Sequence, residues 1–401
     1  MISPFLLQGR RLRSANGGGR VSFSAEVYSV GEGNKLTIAV LFGGRSGEHD
    51  VSLQSAASVI EAMDKEKYNI VPVGITEEGL WLAGGDPLQA LLQKDIPGTS
   101  TYVTLATKPY APGLVLLDMG SASVAESFIP LDAVFPVLHG TNGEDGTVQG
   151  LLELAGLPYV GAGVLSSATA MDKAVMKILF RYNNLPQGDF FYFSAARWEA
   201  EEEELLALIE KRFDYPCFIK PANLGSSVGV SKVSSREMLR RGVQEALRYD
   251  LKVIVEEFIP GRELECSVLG DDNPLASVPG EVIPCNDFYD YRAKYLDQRS
   301  RLLIPAPLEP EREKELKKLA VQAFEAVECS GLGRVDFFYC EEEQQIYINE
   351  INTMPGFTSI SMYPKLWEAS GLPYTELIDK LIEIALRRHA RQTRLETKFR
   401  A

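Results

Sequence analysis

Carboxylate and amide side chains stand inside two apolar segments, RVDFFYC (334–340) and QIYINEIN (345–352), joined by the polar stretch EEEQ. This pattern predicts a β-hairpin, although Asp and Glu are normally depleted in strands. Glu350 and Asn352 are two residues apart and therefore project from the same face, which Asp336 on the partner strand can reach. Three oxygen ligands beside Arg334 suit Mg²⁺ shared with phosphate groups. The alternative is a strand face that is only solvated.

A second segment, FIKPANLGSSVGVSKV (218–233), places a Gly/Ser turn between two predicted strands. Its glycines and serines can offer backbone N–H groups and hydroxyls to phosphate oxygens, and Lys220 ends the first strand. An ordinary flexible hairpin is the alternative. The pattern GxxxxGK[ST] is absent from the chain, so this is not a P-loop.

The segment VIVEEFIPGRELE (253–265) crowds four glutamates around a short apolar stretch. One interpretation is a hinge at which backbone groups and Glu256 bind adenine and Glu263 accepts hydrogen bonds from ribose. The other is a charged edge strand, a common protection against aggregation.

Three further segments combine glycines or aromatics with polar groups. LFGGRSGEHDVS (41–52) lacks GxGxxG but places a glycine turn at the end of a strand, where Glu48 and His49 can hold a substrate amine; Glu48 at a helix start is alternatively a dipole partner. HGTNGEDG (139–146) sets His139 before a glycine-rich turn, which is equally typical of a structural histidine. FYDYRAKYLDQRS (288–300) is aromatic enough for a covering lid, with a surface hairpin as the alternative.

Composition limits the classes of function. The chain has 401 residues, 45% hydrophobic and 24% charged, which is ordinary for a globular protein of two or three domains. Its net charge of −14 argues against nucleic-acid and anionic-membrane partners. No apolar run approaches membrane-spanning length. The five cysteines show no CxxC pair or metal-ligand spacing, which favours reduced thiols and a cytoplasmic location.

The order of strands and helices predicts three domains of an α/β protein with α+β central and C-terminal parts. Residues 1–35 are rich in arginine and reach their first acid only at Glu26, so we expect a disordered extension. Alternating strands and helices predict a parallel α/β domain over 36–161. We expect a compact α+β domain over 162–256 and a third, built around the hairpin, over 257–395.

These segments, in this order, resemble the ATP-grasp fold and specifically the D-alanine–D-alanine ligase family. The matching strings are LFGGRSGEHDVS, PVLHGTNGEDGTVQGLLELAGLPYVG, AMDK, FIKPANLGSSVGVSK, FYDYRAKY, GRVDFF and INEINTMPGFTSIS, and the resemblance covers roughly residues 36–390. The resemblance implies ATP-dependent ligation of two D-alanines through a D-alanyl phosphate, for peptidoglycan precursor synthesis. It also implies ATP as a substrate, two Mg²⁺ ions for which Mn²⁺ substitutes, and a homodimer.

The resemblance further implies a role for each matching residue. The catalytic set is Glu48, Ser226, Tyr295, Arg334 and the backbone N–H of Gly356. The substrate-binding set is His139, Lys294, Ser361 and Met362. The ATP-binding set is Lys173, Lys220, Ser227, Glu256, Glu257, Ile259 and Glu263. The metal ligands are Asp336, Glu350 and Asn352.

Several rival functions stay open at this point. A D-alanine–D-lactate or D-alanine–D-serine ligase would use the same machinery; Tyr295 within AKY weighs against lactate, whereas Met362, where the family often has leucine, leaves serine open. Another carboxylate–amine ATP-grasp ligase is more distant, because both HGTNGED and AKY are present. A catalytically inactive nucleotide-binding protein is disfavoured by intact Arg334, Asp336, Glu350 and Asn352.

Overall fold

A computed structural model describes residues 35–97, 101–107, 111–117, 128–225, 227–283 and 301–396. Within these ranges the chain folds into three β-sheets with helices packed against them, which confirms the predicted mixed α/β class. No helix in these ranges has both the length and the apolar character needed to cross a membrane. The three predicted domain boundaries remain predictions.

The first sheet has the strand order β6-β5-β4-β3-β2-β1-β7. Its strands are β1 (Leu36–Gly43), β2 (Tyr68–Ile75), β3 (Trp81–Ala83), β4 (Thr101–Leu105), β5 (Gly113–Leu117), β6 (Phe128–Pro130) and β7 (Ala133–Pro136). The helices in this part of the chain are α1 (His49–Ala62), α2 (Pro87–Leu92) and α3 (Thr147–Ala155). The predicted parallel pairing holds for β2-β1-β7, whereas β3 to β6 add antiparallel strands. The connection between β2 and β3 is short, and a short connection joins only antiparallel neighbours.

The second sheet is antiparallel, with the order β10-β9-β11-β8. Its strands are β8 (Phe190–Ser194), β9 (Cys217–Pro221), β10 (Ser231–Val233) and β11 (Lys252–Glu257). The helices here are α4 (Val164–Met171), α5 (Lys173–Tyr182), α6 (Ala195–Arg212) and α7 (Arg236–Ala246).

The segment SSATAMDKAVMKILFRYNN (166–184) belongs to two helices, α4 and α5, and not to one continuous helix. Asp172 separates them with extended backbone, and its carboxylate accepts hydrogen bonds from the N–H groups of Ala174 and Val175, both at 3.1 Å. An aspartate in this position starts a new helix because it satisfies N–H groups that lack helical partners. The break places Lys173 at the first residue of α5.

The third sheet has the order β15-β14-β12-β16-β17, with β13 paired to β12. Its strands are β12 (Arg262–Gly270), β13 (Leu275–Ala276), β14 (Gly280–Ile283), β15 (Arg301–Leu303), β16 (Gly331–Cys340) and β17 (Gln345–Asn352). The remaining helices are α8 (Pro310–Ala326), α9 (Met362–Ala369) and α10 (Tyr374–Gln392). Strands β16 and β17 are antiparallel neighbours, which confirms the predicted hairpin.

A β-bulge in this hairpin decides which face the polar residues occupy. The register passes from Phe337 opposite Ile348 to Asp336 opposite Glu350, so Asn349 has no partner. Ile346 and Ile348 are buried in the core, and the next buried residue is Ile351. Without the extra residue, strict alternation would turn Glu350 toward that core. The bulge therefore turns Glu350 and Asn352 to the opposite face.

The last helix, α10, completes the core of the first sheet. Its apolar side chains share one cluster with Ile38 and Val40 of β1, and Leu381 at its centre is 1% exposed. The Tyr68 hydroxyl donates to Asp379 of α10 at 2.8 Å. The first sheet and α10 therefore stabilise each other.

We expect Leu381→Ala to lower the free energy of unfolding by about 2–5 kcal/mol, because it leaves a cavity between α10 and the first sheet. Urea denaturation followed by tryptophan fluorescence measures this loss. The control is Leu395→Ala, since Leu395 is 71% exposed and its truncation should change stability by no more than about 0.5 kcal/mol. Equal losses in the two variants would contradict the shared core.

Candidate functional site

Three carboxylates form a row across neighbouring strands of the third sheet. Glu265 of β12 lies opposite Asp336 of β16, and Asp336 lies opposite Glu350 of β17. Arg334 binds Asp336 through two hydrogen bonds of 2.7 Å, and its Nε lies 2.9 Å from a Glu265 oxygen. The Asn352 amide donates to Asp336 at 3.0 Å. One guanidinium thus holds together carboxylates that would otherwise repel each other.

Lys173 connects this row to the Gly/Ser segment. Its Nζ donates to the Leu224 carbonyl at 2.7 Å and lies 3.9 Å from a Glu350 oxygen. Its backbone N–H donates to the Ala222 carbonyl at 3.0 Å. The start of α5 is therefore bound to Ala222 and Leu224 of the Gly/Ser segment, which is predicted to bind phosphate groups.

A buried cluster of two lysines and one glutamate lies beside this position. Glu256 of β11 binds Lys177 at 3.3 Å and Lys220 at 2.5 Å, one through each carboxylate oxygen. Burial by itself would raise the pKa of Glu256, but the two lysines lower that pKa to about 2. Burial lowers the pKa of Lys177, whereas the carboxylates Glu256 and Glu350 raise the pKa of Lys220 despite its burial. The predicted contact of Glu256 with adenine remains a prediction.

Lys177 was missed by the sequence analysis, although a signal exists. It follows Lys173 by four residues, so the two lysines share one face of α5. That face is buried at Ala174, Lys177 and Phe180. A lysine on an apolar helix face implies a buried partner, since an uncompensated buried charge is costly.

Two glutamates from different segments approach each other where the first sheet meets the Gly/Ser segment. Glu48 is buried, and a Cβ on Gly225 would lie 3.2 Å from its carboxylate and 3.9 Å from that of Glu144. Glu144 accepts a hydrogen bond from the Gly140 N–H at 2.6 Å. Burial and the nearby Glu48 raise the pKa of Glu144, which favours a proton on that side chain. Glu144 belongs to the HGTNGEDG string, but the sequence pattern does not predict that it lies near Glu48.

His139 is buried, and both of its ring nitrogens have partners within the protein. Nδ1 lies 3.0 Å from the Met354 carbonyl and Nε2 lies 3.0 Å from the Ser55 hydroxyl. Burial lowers the pKa of His139 to about 4. The imidazole is therefore neutral near pH 7, and its predicted contact with substrate remains a prediction.

Gly356 and Ser361 lie next to each other in the turn after β17. A Cβ on Gly356 would lie 3.2 Å from the Ser361 hydroxyl, which also accepts from the Thr358 N–H at 3.1 Å. Met362 begins α9 and packs against Val282. These two predicted substrate residues therefore lie beside the predicted oxyanion donor.

The remaining predicted residues occupy the edges of the site. Ser227 adopts a positive φ of 56° in the Gly/Ser segment. Glu257 uses both its N–H and its carboxylate to bind the backbone of Asp189. Ile259 lies near Gly188, and Glu263 lies on β12 opposite Phe338. Ser226, Lys294 and Tyr295 lie outside the described residues.

Across the described ranges, no three or more His, Cys, Asp and Glu side chains converge as metal ligands. The expected set instead joins two carboxylates, Asp336 and Glu350, with the Asn352 amide. Mg²⁺ accepts such a set because phosphate and water oxygens complete its octahedron. The donor chemistry thus fits a metal shared with a polyphosphate.

Comparison with known proteins identifies relatives over most of the chain. The family models for the D-ala D-ala ligase N-terminus and C-terminus match residues 37–162 and 179–383. A D-alanine--D-alanine ligase of Natranaerobius thermophilus is 50% identical over 91% of this chain and 99% of its own length. One of Ruminiclostridium cellulolyticum is 50% identical over 89% of this chain and 96% of its own length.

Two solved structures share this architecture. The VanG D-Ala:D-Ser ligase of Enterococcus faecalis has a TM-score of 0.78 and 38% identity, covering 88% of this chain and 100% of its own. The D-alanine-D-alanine ligase of Coxiella burnetii has a TM-score of 0.77 and 38% identity, covering 90% of this chain and 96% of its own.

We expect Glu256→Gln to destabilise the fold by about 3–5 kcal/mol at pH 7, because it leaves Lys177 and Lys220 without their buried counter-charge. The pKa of Glu256 is lowered from 4.5 to about 2, so its contribution is complete above pH 4.5 and is lost as the pH falls toward 2. Urea denaturation across this range should show the wild type and variant converging at low pH. The exposed neighbour Glu257 is the control, and Glu257→Gln should cost about 1 kcal/mol or less. A constant difference between wild type and Glu256→Gln at all pH values would contradict the buried cluster.

Proposed function

The chain belongs to the D-alanine–D-alanine ligase family, and from this membership we propose how its residues join two D-alanines at the expense of ATP. The protein is an ATP-dependent ligase of peptidoglycan precursor synthesis, with D-alanine and ATP as substrates. The observation that carries the residue-level proposal is the meeting of the carboxylate row with Lys173, whose Nζ lies 3.9 Å from Glu350. Polyphosphate chemistry needs both kinds of charge at one place.

The reaction has two steps because a carboxylate is a poor acyl donor. A carboxylate oxygen of the first D-alanine attacks the γ-phosphorus of ATP, and ADP leaves. The amine of the second D-alanine then attacks the acyl carbon of the D-alanyl phosphate; the C–O bond to phosphate breaks, and the nitrogen loses a proton. We assign Lys173 and Lys220 to the phosphate groups of ATP, because these cations lie beside the Gly/Ser segment.

We assign Asp336, Glu350 and Asn352 to two Mg²⁺ ions, for which Mn²⁺ substitutes. The support is their shared strand face and their oxygen donors, together with the neutralisation of Asp336 by Arg334. Bound Mg²⁺ would neutralise charge on the transferring phosphoryl group. Glu256 and Glu263 are assigned to adenine and ribose, with backbone contacts at Glu257 and Ile259.

Glu48 is assigned to the ammonium group of the first D-alanine, with Ser226 and Tyr295 as its partners. Its support is burial beside the Gly/Ser segment, where a carboxylate can meet a cation away from bulk water. Arg334 and the Gly356 N–H are assigned to the oxyanion of the tetrahedral intermediate. Fixed donors of this kind stabilise charge that develops in the transition state.

Lys294 and Ser361 are assigned to the carboxylate of the second substrate, and Met362 shapes its pocket. The D-Ala:D-Ser ligase among the structural relatives makes D-serine the second candidate acceptor. We further propose a cytoplasmic homodimer, as the family resemblance implies; analytical ultracentrifugation at micromolar concentration should give about twice the chain mass of 44.3 kDa.

The decisive experiment measures phosphate release from MgATP with D-Ala alone or paired with D-Ser or D-lactate, with L-Ala as control, and identifies each product by mass. D-Ala–D-Ala as the main product throughout supports the proposal. Preferential mixed products would reassign the second-substrate pocket. Absence of turnover in folded protein that binds ATP would contradict the proposed function.

We expect Glu350→Gln to reduce kcat by about 10²-fold or more, because the site loses a charged ligand where phosphoryl charge must be neutralised. A second readout is the increase in Tm caused by MgATP over ATP alone, which should shrink in the variant. The control is Glu342→Gln, an exposed change in the turn of the same hairpin. Unchanged turnover in folded Glu350→Gln would contradict the metal assignment.

A further inference from the structure

The turn that contains Gly356 is bound by α1, the helix that packs against β1 of the first sheet. Ser55 of α1 is completely buried, and its hydroxyl accepts a hydrogen bond from the Phe357 N–H at 3.3 Å. The same hydroxyl lies 3.0 Å from Nε2 of His139, whose Nδ1 lies 3.0 Å from the Met354 carbonyl. Two backbone groups of the turn therefore end on one Ser55–His139 pair.

Only one arrangement of protons satisfies every group in this network. The Met354 carbonyl can only accept, so Nδ1 of His139 carries the proton. In a neutral imidazole Nε2 then accepts, and the Ser55 hydroxyl donates to it. A lone pair of Ser55 remains to accept from the Phe357 N–H. The imidazole is neutral near pH 7, because burial lowers its pKa to about 4.

The anchored groups flank Gly356 closely. The Met354 carbonyl and the Phe357 N–H bound a segment that contains only Pro355 and Gly356. Phe357 also has contacts that do not involve Ser55, since the Tyr374 hydroxyl donates to the Phe357 carbonyl at 2.5 Å and the Phe357 ring packs against Phe135. Loss of Ser55 should therefore loosen the direction of the Gly356 N–H without unfolding the turn.

We propose that Ser55 and His139 are positioning residues that aim the Gly356 N–H at the oxyanion formed in the amide-forming step. This inference rests on the proposed function and adds Ser55 to it, a residue outside the matching roles given above. Neither side chain needs to touch a substrate. Because phosphoryl transfer relies on Lys173, Lys220 and the metal ligands instead, the pair should affect the second chemical step and spare the first.

The test is single-turnover rapid quench with Ser55→Ala, in which ADP and D-Ala–D-Ala are measured in the same samples. We expect the rate constant for dipeptide formation to fall about 10-fold, because small displacements of reacting groups slow a chemical step. The rate constant for ADP formation should stay within about 2-fold of the wild-type value. D-alanyl phosphate should accumulate transiently.

The chain supplies a matched control in Ser52→Ala. Ser52 is a completely buried serine of the same helix, but its hydroxyl accepts from the Gly43 N–H at 2.8 Å and donates to the Val137 carbonyl. The Ser52→Ala variant should lose a similar amount of thermal stability, but the ratio of the rate constants for ADP and dipeptide formation should stay as in the wild type. Ser55→Cys, which fills nearly the same space with a weaker hydrogen-bonding group, should shift the partition in the same direction by a smaller factor, and it replaces Ser55→Ala if that variant does not fold.

Equal slowing of both steps in Ser55→Ala, or the same partition in Ser52→Ala, would overturn the inference and leave Ser55 a structural residue. If the wild type forms the dipeptide and Ser55→Ala forms it at the same rate, only this inference is overturned. Wild-type protein that forms no dipeptide would overturn the proposed function itself.

Discussion

The register of β12, β16 and β17 is the constraint on which the site depends. It sets Glu265, Asp336 and Glu350 side by side, an arrangement that is unfavourable unless a cation lies among them. The bulge at Asn349 makes this row possible, since it alone turns Glu350 away from the apolar side of the sheet. Arg334 contacts both Asp336 and Glu265, and its positive charge offsets theirs. A side chain fixed in this way loses little conformational freedom when a reaction begins.

The acidic character of the chain gives this local balance its importance. With a net charge of −14, the protein as a whole repels polyphosphates, and only a concentrated group of cations can attract one. Under the proposed function Lys173 and Lys220 belong to such a group, and Glu256 holds Lys220 next to Lys177 in the interior. The negative charge of Glu256 thus keeps Lys177 and Lys220 in place by direct ion pairs.

Much of the hairpin that carries the site could be predicted from the sequence, because its structure depends on residues that are close together in the chain. The hairpin follows from alternation and a polar turn, and the shared face of Glu350 and Asn352 follows from strand geometry. The bulge has only a weak signal in the sequence. The apolar residues are two apart at Ile346 and Ile348 but three apart at Ile348 and Ile351. Asp172 could have been identified as a helix start, whereas Ser55 could not have been singled out, because its partner Phe357 lies 302 residues further along the chain. Contacts of this kind arise from tertiary packing, which no short pattern in a single sequence records.

The packing of α10 against the first sheet has a consequence for the order in which the protein is made. Strands β1 and β2 precede most of the chain, yet side chains that share their apolar cluster, among them Leu377 and Leu381, follow them far along the sequence. Domains generally fold as units during synthesis, beginning at the N-terminus. Here the core that the first sheet shares with α10 can close only after α10 has been made, so this sheet completes its packing late.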